Sequence, residues 1–463
     1  VTDIAEIELD LPKAPKGITV YDEKGKKVSA QLISYTDGKA RILVEATVPA
    51  TGYVVYDIRT SGTGASNVST NVNTLENSLY KITLDKNGDI VSLTDKKNGK
   101  ELVKAGKAIR LALFTQNKSY NWPAWEVLKE TTDRTPVSIT DDVKITLVED
   151  GTLRKSLCVE KRHGESVFRQ YIRLYEGSRA ERIDFYNEID WQSTNALLKA
   201  EFPLNLENEK ATYDLGIGSI QRGNNTETAY EVYAQYWADL TDRDGSYGVS
   251  VMNDSKYGWD KPDNHTIRLT LLHTPETRGG YAYQDHQDLG HHTFTYSLIP
   301  HQGALDKPAT VEKAEKLNQQ LKAFRTEKHK GNAGKSFSFV ASDNRNVLIK
   351  ALKKAEETDE YVVRVYETEG RKAQSATLTF AGEIISASEA NGTEKAIGDA
   401  TFEGNKLQVN ITPYSVRTYK VRLKPSGREA SPIEYAALPL DYDRKCASYN
   451  EFRGEGDFES GYS

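Results

Sequence analysis

From residue 73 to about residue 310, apolar and polar side chains alternate in one segment after another: VKITLVED, LRKSLCVEKR, FRQYIRLYEG and RAERIDFYNEIDW, with Gly, Asn and Asp between them. Alternation of this kind sends successive side chains to opposite faces of a strand, whereas a helix repeats its apolar face every three or four residues. Long strands with one apolar face bury it against a second sheet, so the pattern predicts a mainly β chain built on a large antiparallel two-sheet structure. Turn chemistry agrees. In NSLYKITLDKNGDIVSLTDKKNGKEL, Asn87-Gly88 and Asn98-Gly99 each follow a strand-like run, and such a pair predicts a hairpin turn with both central residues at positive φ.

A chain of 463 residues exceeds one core and is expected to divide. Residues 1–72 carry short alternations such as ITVYD and ARILVEATV and read as a small β-sandwich domain. They end in the unpatterned, small-residue stretch SGTGASNVSTNVNT, which reads as a linker. Residues 73–310 form the large double sheet. Residues 311–334 read as a helical or irregular linker, with Val311, Ala314, Leu317, Leu321 and Phe324 at helical spacing. Residues 335–424 read as a second β-sandwich, within which VLIKALKKAEETDE fits helix and strand equally well. Residues 425–463 read as a tail or the start of a truncated element. The chain opens at Val1 without Met and stops just past a glycine-rich turn, which suggests a piece of a longer protein.

Composition removes several function classes. The net charge of −6 is spread among mixed acids and bases, so nothing favours nucleic acid or an anionic membrane, and no apolar run reaches the length of a membrane span. Cys158 and Cys446 cannot form a disulfide framework and read as two free thiols. Neither a phosphate-binding glycine loop, a zinc-protease His pair nor a serine-hydrolase elbow is present.

The chemistry-bearing residues gather between Gly245 and His301, which holds most of the eight histidines, among them His286, His291, His292 and His301. His291 and His292 lie near Asp285 and Asp288. Adjacent strand residues point to opposite faces, however, so the two histidines cannot readily share one ion. The aromatics Tyr257, Trp259, Tyr281 and Tyr283, with Asp254, Asp260, Asp285 and Asp288, instead offer planar faces for sugar rings and acceptors for hydroxyls. Trp122–Val127, WPAWEV, reads as a core or rim piece.

Taken in order, the blocks NSLYKITLDKNGDIVSLTDKKNGKEL, FRQYIRLYEGSRAERIDFYNEIDW, ALLKAEFPLN, YDLGIGSIQR, YGVSVMNDSKYGWD, IRLTLLHTPE and DLGHHTFTYSLIPH resemble the C-terminal β region of glycoside hydrolase family 38, the α-mannosidases. VLIKALKKAEETDEYVVRVYETEG and PYSVRTYKVRL resemble the β-sandwich that follows it. The resemblance implies a galactose-mutarotase-like β-supersandwich flanked by smaller β-sandwiches, and makes the ambiguous VLIKALKK segment a strand. It also implies that the catalytic zinc, its ligands and the nucleophile sit on an N-terminal domain outside this chain. The chain itself is then expected to hold no cofactor, to be inactive alone, to pair with that catalytic domain, and to help bind α-mannoside oligosaccharides.

By the same resemblance, loops of this region reach the rim of the substrate cleft. The candidates are Asp254, Tyr257, Trp259, Arg278, Asp285, Asp288 and His291. Asp254, Tyr257, Asp285 and Asp288 are expected to be exposed on one face, and His291 and His292 to be divided between two. Two departures touch the site. Relatives carry Trp-Asp-Ala-Trp-Asp where this chain has Trp122-Pro123-Ala124-Trp125-Glu126, and Arg where it has His273, a role Arg278 could take over. A stand-alone carbohydrate-binding module and a mutarotase-like enzyme are the competing functions.

Overall fold

In the computed structural model, residues 1–63, 69, 70, 72–331 and 334–426 are described. Much of SGTGASNVST, Cys446 and nearly all of the 425–463 reading therefore lie outside the described residues. Val1–Lys424 make up one unit of the chain.

Two antiparallel sheets dominate it. A ten-stranded sheet contains, side by side, Trp237–Thr241, Tyr247–Asn253, Gly290–Gln302, Ile183–Trp191, Ser166–Tyr175, Arg154–His163 and Asp141–Asp150. A six-stranded sheet is centred on Arg110–Thr115, Ala196–Pro203 and Thr266–Thr274. The alternation read from the sequence is the reason the two meet. Phe168, Ile172 and Leu174 point inward from one strand, Leu198, Ala200 and Phe202 from another, and all belong to one buried core. Aromatic rings bridge the gap: Tyr296 stacks on Phe185 of its own sheet at 5.0 Å and meets Phe202 of the opposite sheet edge-on at 5.6 Å. At one end of the sandwich Trp191 Nε1 donates across the gap to Thr274 Oγ1 at 2.8 Å. This is the β-supersandwich expected for the region.

The small sheet Thr74–Glu76, Tyr80–Leu84, Ile90–Asp95 and Lys100–Glu101 extends the same core. Its hairpin differs from the two-residue turn expected at Asn87-Gly88. Gly88 alone of the pair has positive φ, +73°, and the ladder slips by one residue between Thr83 and Leu84. Asp85 explains the longer loop, because its Oδ1 accepts the backbone N–H groups of Asn87 and Asp89 at 2.8 and 3.0 Å.

Residues 1–63 form two three-stranded sheets around Ile18, Val20, Leu32, Ile42 and Val44. Beyond the supersandwich, the helix Lys307–Asn318 starts and ends earlier than its apolar spacing indicated. Asp306 caps it, accepting Ala309 N at 3.2 Å, and Pro308 lies in its first turn. Ala314 and Leu317 are buried on Trp237, Met252 and Ile299, while Phe324, past the helix end, is exposed. The helix is thus packed on the large sheet.

Residues 336–423 form the last β-sandwich, with a four- and a five-stranded sheet enclosing Val340, Val363, Val365, Leu378, Phe380 and Val409. Val347–Lys354 is a strand of it. A bulge between Ile349 and Ala351 shifts its phase, so Val347, Ile349 and Leu352 all turn toward the core. That shift interrupts the strict alternation of a strand, so the pattern alone left helix and strand equally open.

Candidate functional site

At the end of the supersandwich marked by Trp191 and Thr274, the strands ending at Thr115, Trp191, Asn253 and Thr274 hand over to loops. Two of these, residues 116–128 and 275–289, are tied together. Ser119 N donates to Glu276 O at 3.0 Å and Glu276 N donates to Asn117 O at 2.7 Å. Most of the candidate residues from the sequence sit on or beside this pair.

The first loop is folded around a carboxylate. Glu126 Oε1 accepts the Ser119 hydroxyl and the backbone N–H groups of Tyr120, Asn121 and Trp122, at 2.6 to 3.2 Å. Burial pushes this carboxyl up, but these hydrogen bonds outweigh it and hold it below the usual glutamate range. Glu126 is therefore occupied by its own loop, and Pro123 is a buried ring. The loop displays its tryptophans outward instead: 54% of Trp122 and 84% of Trp125 are exposed. The two indoles stack at 5.9 Å and 17°, and Tyr281 of the second loop lies against Trp122 at 6.3 Å. Of the two alternatives read for WPAWEV, core or rim, the exposure of both indoles excludes a core piece. Two tryptophans separated by Pro-Ala directly after the polar stretch QNKSYN were the available signal, since no strand alternation there would bury them.

His273 supports the loop from beneath. Its Nδ1 lies 3.0 Å from Asn117 Nδ2, so it accepts, and its Nε2 lies 3.2 Å from Pro123 O, so it donates. A neutral imidazole satisfies both, and burial lowers its pKa accordingly. His273 thus acts as a packed support. Arg278 is exposed, with its guanidinium 4.0 Å from the centre of the Tyr120 ring; Tyr120 in turn donates to Glu130 at 2.8 Å.

The second loop returns through Asp288, which adopts φ +58°, a left-handed conformation that Asp tolerates better than most residues. Its Oδ2 accepts the His273 N–H at 2.8 Å and its carbonyl accepts from His292 Nε2 at 2.6 Å. Asp288 is exposed, yet its carboxylate is engaged in holding the loop. Asp285 pairs with His286 at 2.9 Å. His291 pairs with Asp190 at 2.8 Å, while His292 lies on the side of the strand that carries buried Phe294 and Tyr296. Among the described residues no three of His, Cys, Asp and Glu are grouped to hold a metal ion. This loop end therefore does not fit a zinc site.

Asp254 and Lys256 flank the same end. Asp254 is half-buried, accepting Thr295 N and the Ser255 hydroxyl, both at 2.9 Å, and burial keeps its pKa above the ordinary value. The Lys256 ammonium lies 4.7 Å from the Phe294 ring centre, and burial lowers its pKa. Tyr257 is exposed and meets Tyr233 at 6.4 Å.

Trp259 and Asp260 do not belong to any binding surface. Trp259 is fully buried in the supersandwich core, where its ring can meet no sugar. Asp260, on the opposite face of the same short strand, is buried between Lys199 at 2.7 Å and the Arg268 guanidinium at 2.5 Å. Burial would raise its carboxyl, but those two cations pull it down. With Glu231, Glu201 and Arg110 these residues make a closed network of ion pairs, a scaffold beneath the site.

The fold and this loop-bearing end define a class, a β-supersandwich followed by a β-sandwich. Residues 75–277 match the model of the glycosyl hydrolases family 38 C-terminal domain, and residues 346–419 match that of the family 38 C-terminal beta sandwich domain. The chain therefore belongs to glycosyl hydrolase family 38 and carries its C-terminal domains. It is 26% identical to "Alpha-mannosidase G" of Dictyostelium discoideum over 86% of this chain and 38% of that protein. It is also 26% identical to "Alpha-mannosidase 2C1" of Mus musculus over 87% of this chain and 40% of that protein. The chain thus spans about two-fifths of the length of these relatives. In fold it is similar to the crystal structure of an alpha-mannosidase from Enterococcus faecalis V583, with a TM-score of 0.70 over 91% of this chain and 55% of that one, at 16% identity.

Proposed function

We propose that this chain is the C-terminal β region of an α-mannosidase, supporting a separate catalytic domain and lending loops to the rim of its substrate cleft. The observation that carries the reading is the match of both halves of the chain, in order, to the two C-terminal domains of one glycosidase family. In this reading the whole enzyme hydrolyses α-D-mannosides with retention. One carboxylate attacks the anomeric carbon and a second acid protonates the leaving oxygen. Both groups, and zinc, are assigned to the catalytic domain.

The contribution of this chain is positional. The Asp288–His273–Pro123 and Glu126 contacts fix the two loops, so that Arg278, Asp285, Tyr281 and the Trp122–Trp125 pair are presented from a rigid base. Asp254 and His291 sit at the margin of the same end, and Tyr257 lies farther along the six-stranded sheet; their contact with substrate is part of the proposal. The test is an assay with a chromogenic α-mannoside. The chain alone is expected to give no turnover, and the full-length gene product turnover that a chelator removes and zinc restores. Turnover by the chain alone overturns the reading.

A further inference from the structure

Among the described residues, the aromatic stack on the 116–128 loop leaves two adjacent indoles exposed, and we propose that it is a sugar-binding platform that takes an α-mannoside ring on the open face of Trp125. The mannose assignment rests on the function proposed above; the platform rests on geometry. Trp122 lies between Tyr281 and Trp125, so the three rings form steps, and Trp125, the outermost, is 84% exposed. An indole left this bare in water is costly unless something covers it.

Three features favour a sugar as the cover. A pyranose carries axial C–H groups with partial positive charge, which settle on the electron-rich face of an indole, and its hydroxyls need polar partners at the rim. Polar groups are present beside the stack: exposed Asn121, the Glu130 carboxylate held by Tyr120, and the Arg278 guanidinium lying over that same tyrosine. The platform is also built before any ligand arrives. Glu126 clamps four donors of the loop, His273 holds Pro123 between the two tryptophans, and Tyr281 N donates to Arg278 O at 3.3 Å. Little order remains to be imposed on binding.

The experiment uses the whole chain, Val1–Ser463, and follows tryptophan fluorescence during titration with α-1,2-mannobiose, with α-linked glucobiose as the comparison sugar. Saturable quenching by mannobiose is expected. Trp125→Ala should weaken it about ten-fold or more, Trp125→Phe should retain part of it, and Ile397→Ala on the far sandwich should leave it unchanged. Trp125 makes no buried contact whose loss would unfold the chain, and circular dichroism of each variant checks that. Absence of saturable quenching in the wild-type chain overturns the proposal, as does unchanged binding in both Trp122→Ala and Trp125→Ala. So does a result in which Trp125→Ala spares mannobiose binding but abolishes association with the catalytic domain, which would make the stack a protein-docking surface. Preference for glucobiose would overturn the mannose assignment. Failure of the function reading itself is seen separately, as absence of α-mannosidase turnover in the full-length protein.

Discussion

At the scale of single residues, the positions named from sequence divide by what the strand phase did to them. Trp259 was read as a ligand aromatic because it lies among Asp, Tyr and Gly, but its strand spans only Gly258–Asp260, too short for alternation to show which face it takes. Trp259→Ala is expected to cost roughly 3–5 kcal/mol, as deletion of a buried indole does, measured by denaturant unfolding. It should leave sugar binding to the folded fraction unaltered. Glu126 makes the opposite case: its residue type was legible as a departure from the family motif, its inward role was not. The folded carboxyl sits below its ordinary value, so its stabilisation is present above the unfolded pKa and is lost as pH falls through the folded one. Glu126→Gln is therefore expected to be less stable than the parent by roughly 1 kcal/mol at neutral pH. Thermal melts from pH 7 downward should show the difference shrinking as pH falls below the usual glutamate range.

At the scale of elements, the long strands of the supersandwich were legible because they run for ten to thirteen residues, enough for alternation to fix a face. Val347–Lys354 was not, because a bulge breaks the period of two, and only the family resemblance gave it as a strand. The Lys307–Asn318 helix was found but misplaced, since apolar spacing locates a helix face and the Asp306 cap locates its start. The Asn87-Gly88 hairpin was found with the wrong turn, because Asp85, two residues before the pair, captures the backbone and lengthens the loop. Only Gly88 there requires a glycine: its φ is +73°, and a Cβ would come within 2.3 Å of Val159 Cγ1. Gly88→Ala is expected to destabilise the chain by more than about 1 kcal/mol through strain and displacement of Val159, read from the midpoint of denaturant unfolding.

At the scale of the whole molecule, the first sheets and the supersandwich are joined by charged residues that composition could not single out. Arg154, almost wholly buried, is held by Glu149 at 2.6 Å and by Glu6 of the first strand at 2.9 Å, while Gln31 accepts the backbone N–H of Arg154 at 2.7 Å. Burial would raise the Glu6 carboxyl, but Arg154 and Arg41 pull it down to about 2. Its share of the joint is thus present above the unfolded pKa, near 4.5, and lost as pH falls toward 2. Arg154→Ala leaves Glu149 buried without a partner and is expected to cost about 3–5 kcal/mol, measured by urea unfolding. Sequence could place these domains in order; the pairings that weld them depend on contacts more than a hundred residues apart. The claim that most needs testing is that this β region serves a catalytic domain. The decisive measurement is α-mannoside turnover by three samples: this chain, the catalytic portion of the same gene product, and the two co-expressed. Turnover restored only in the co-expressed sample is the predicted result; turnover by this chain alone, or full turnover by the catalytic portion without it, would contradict the account.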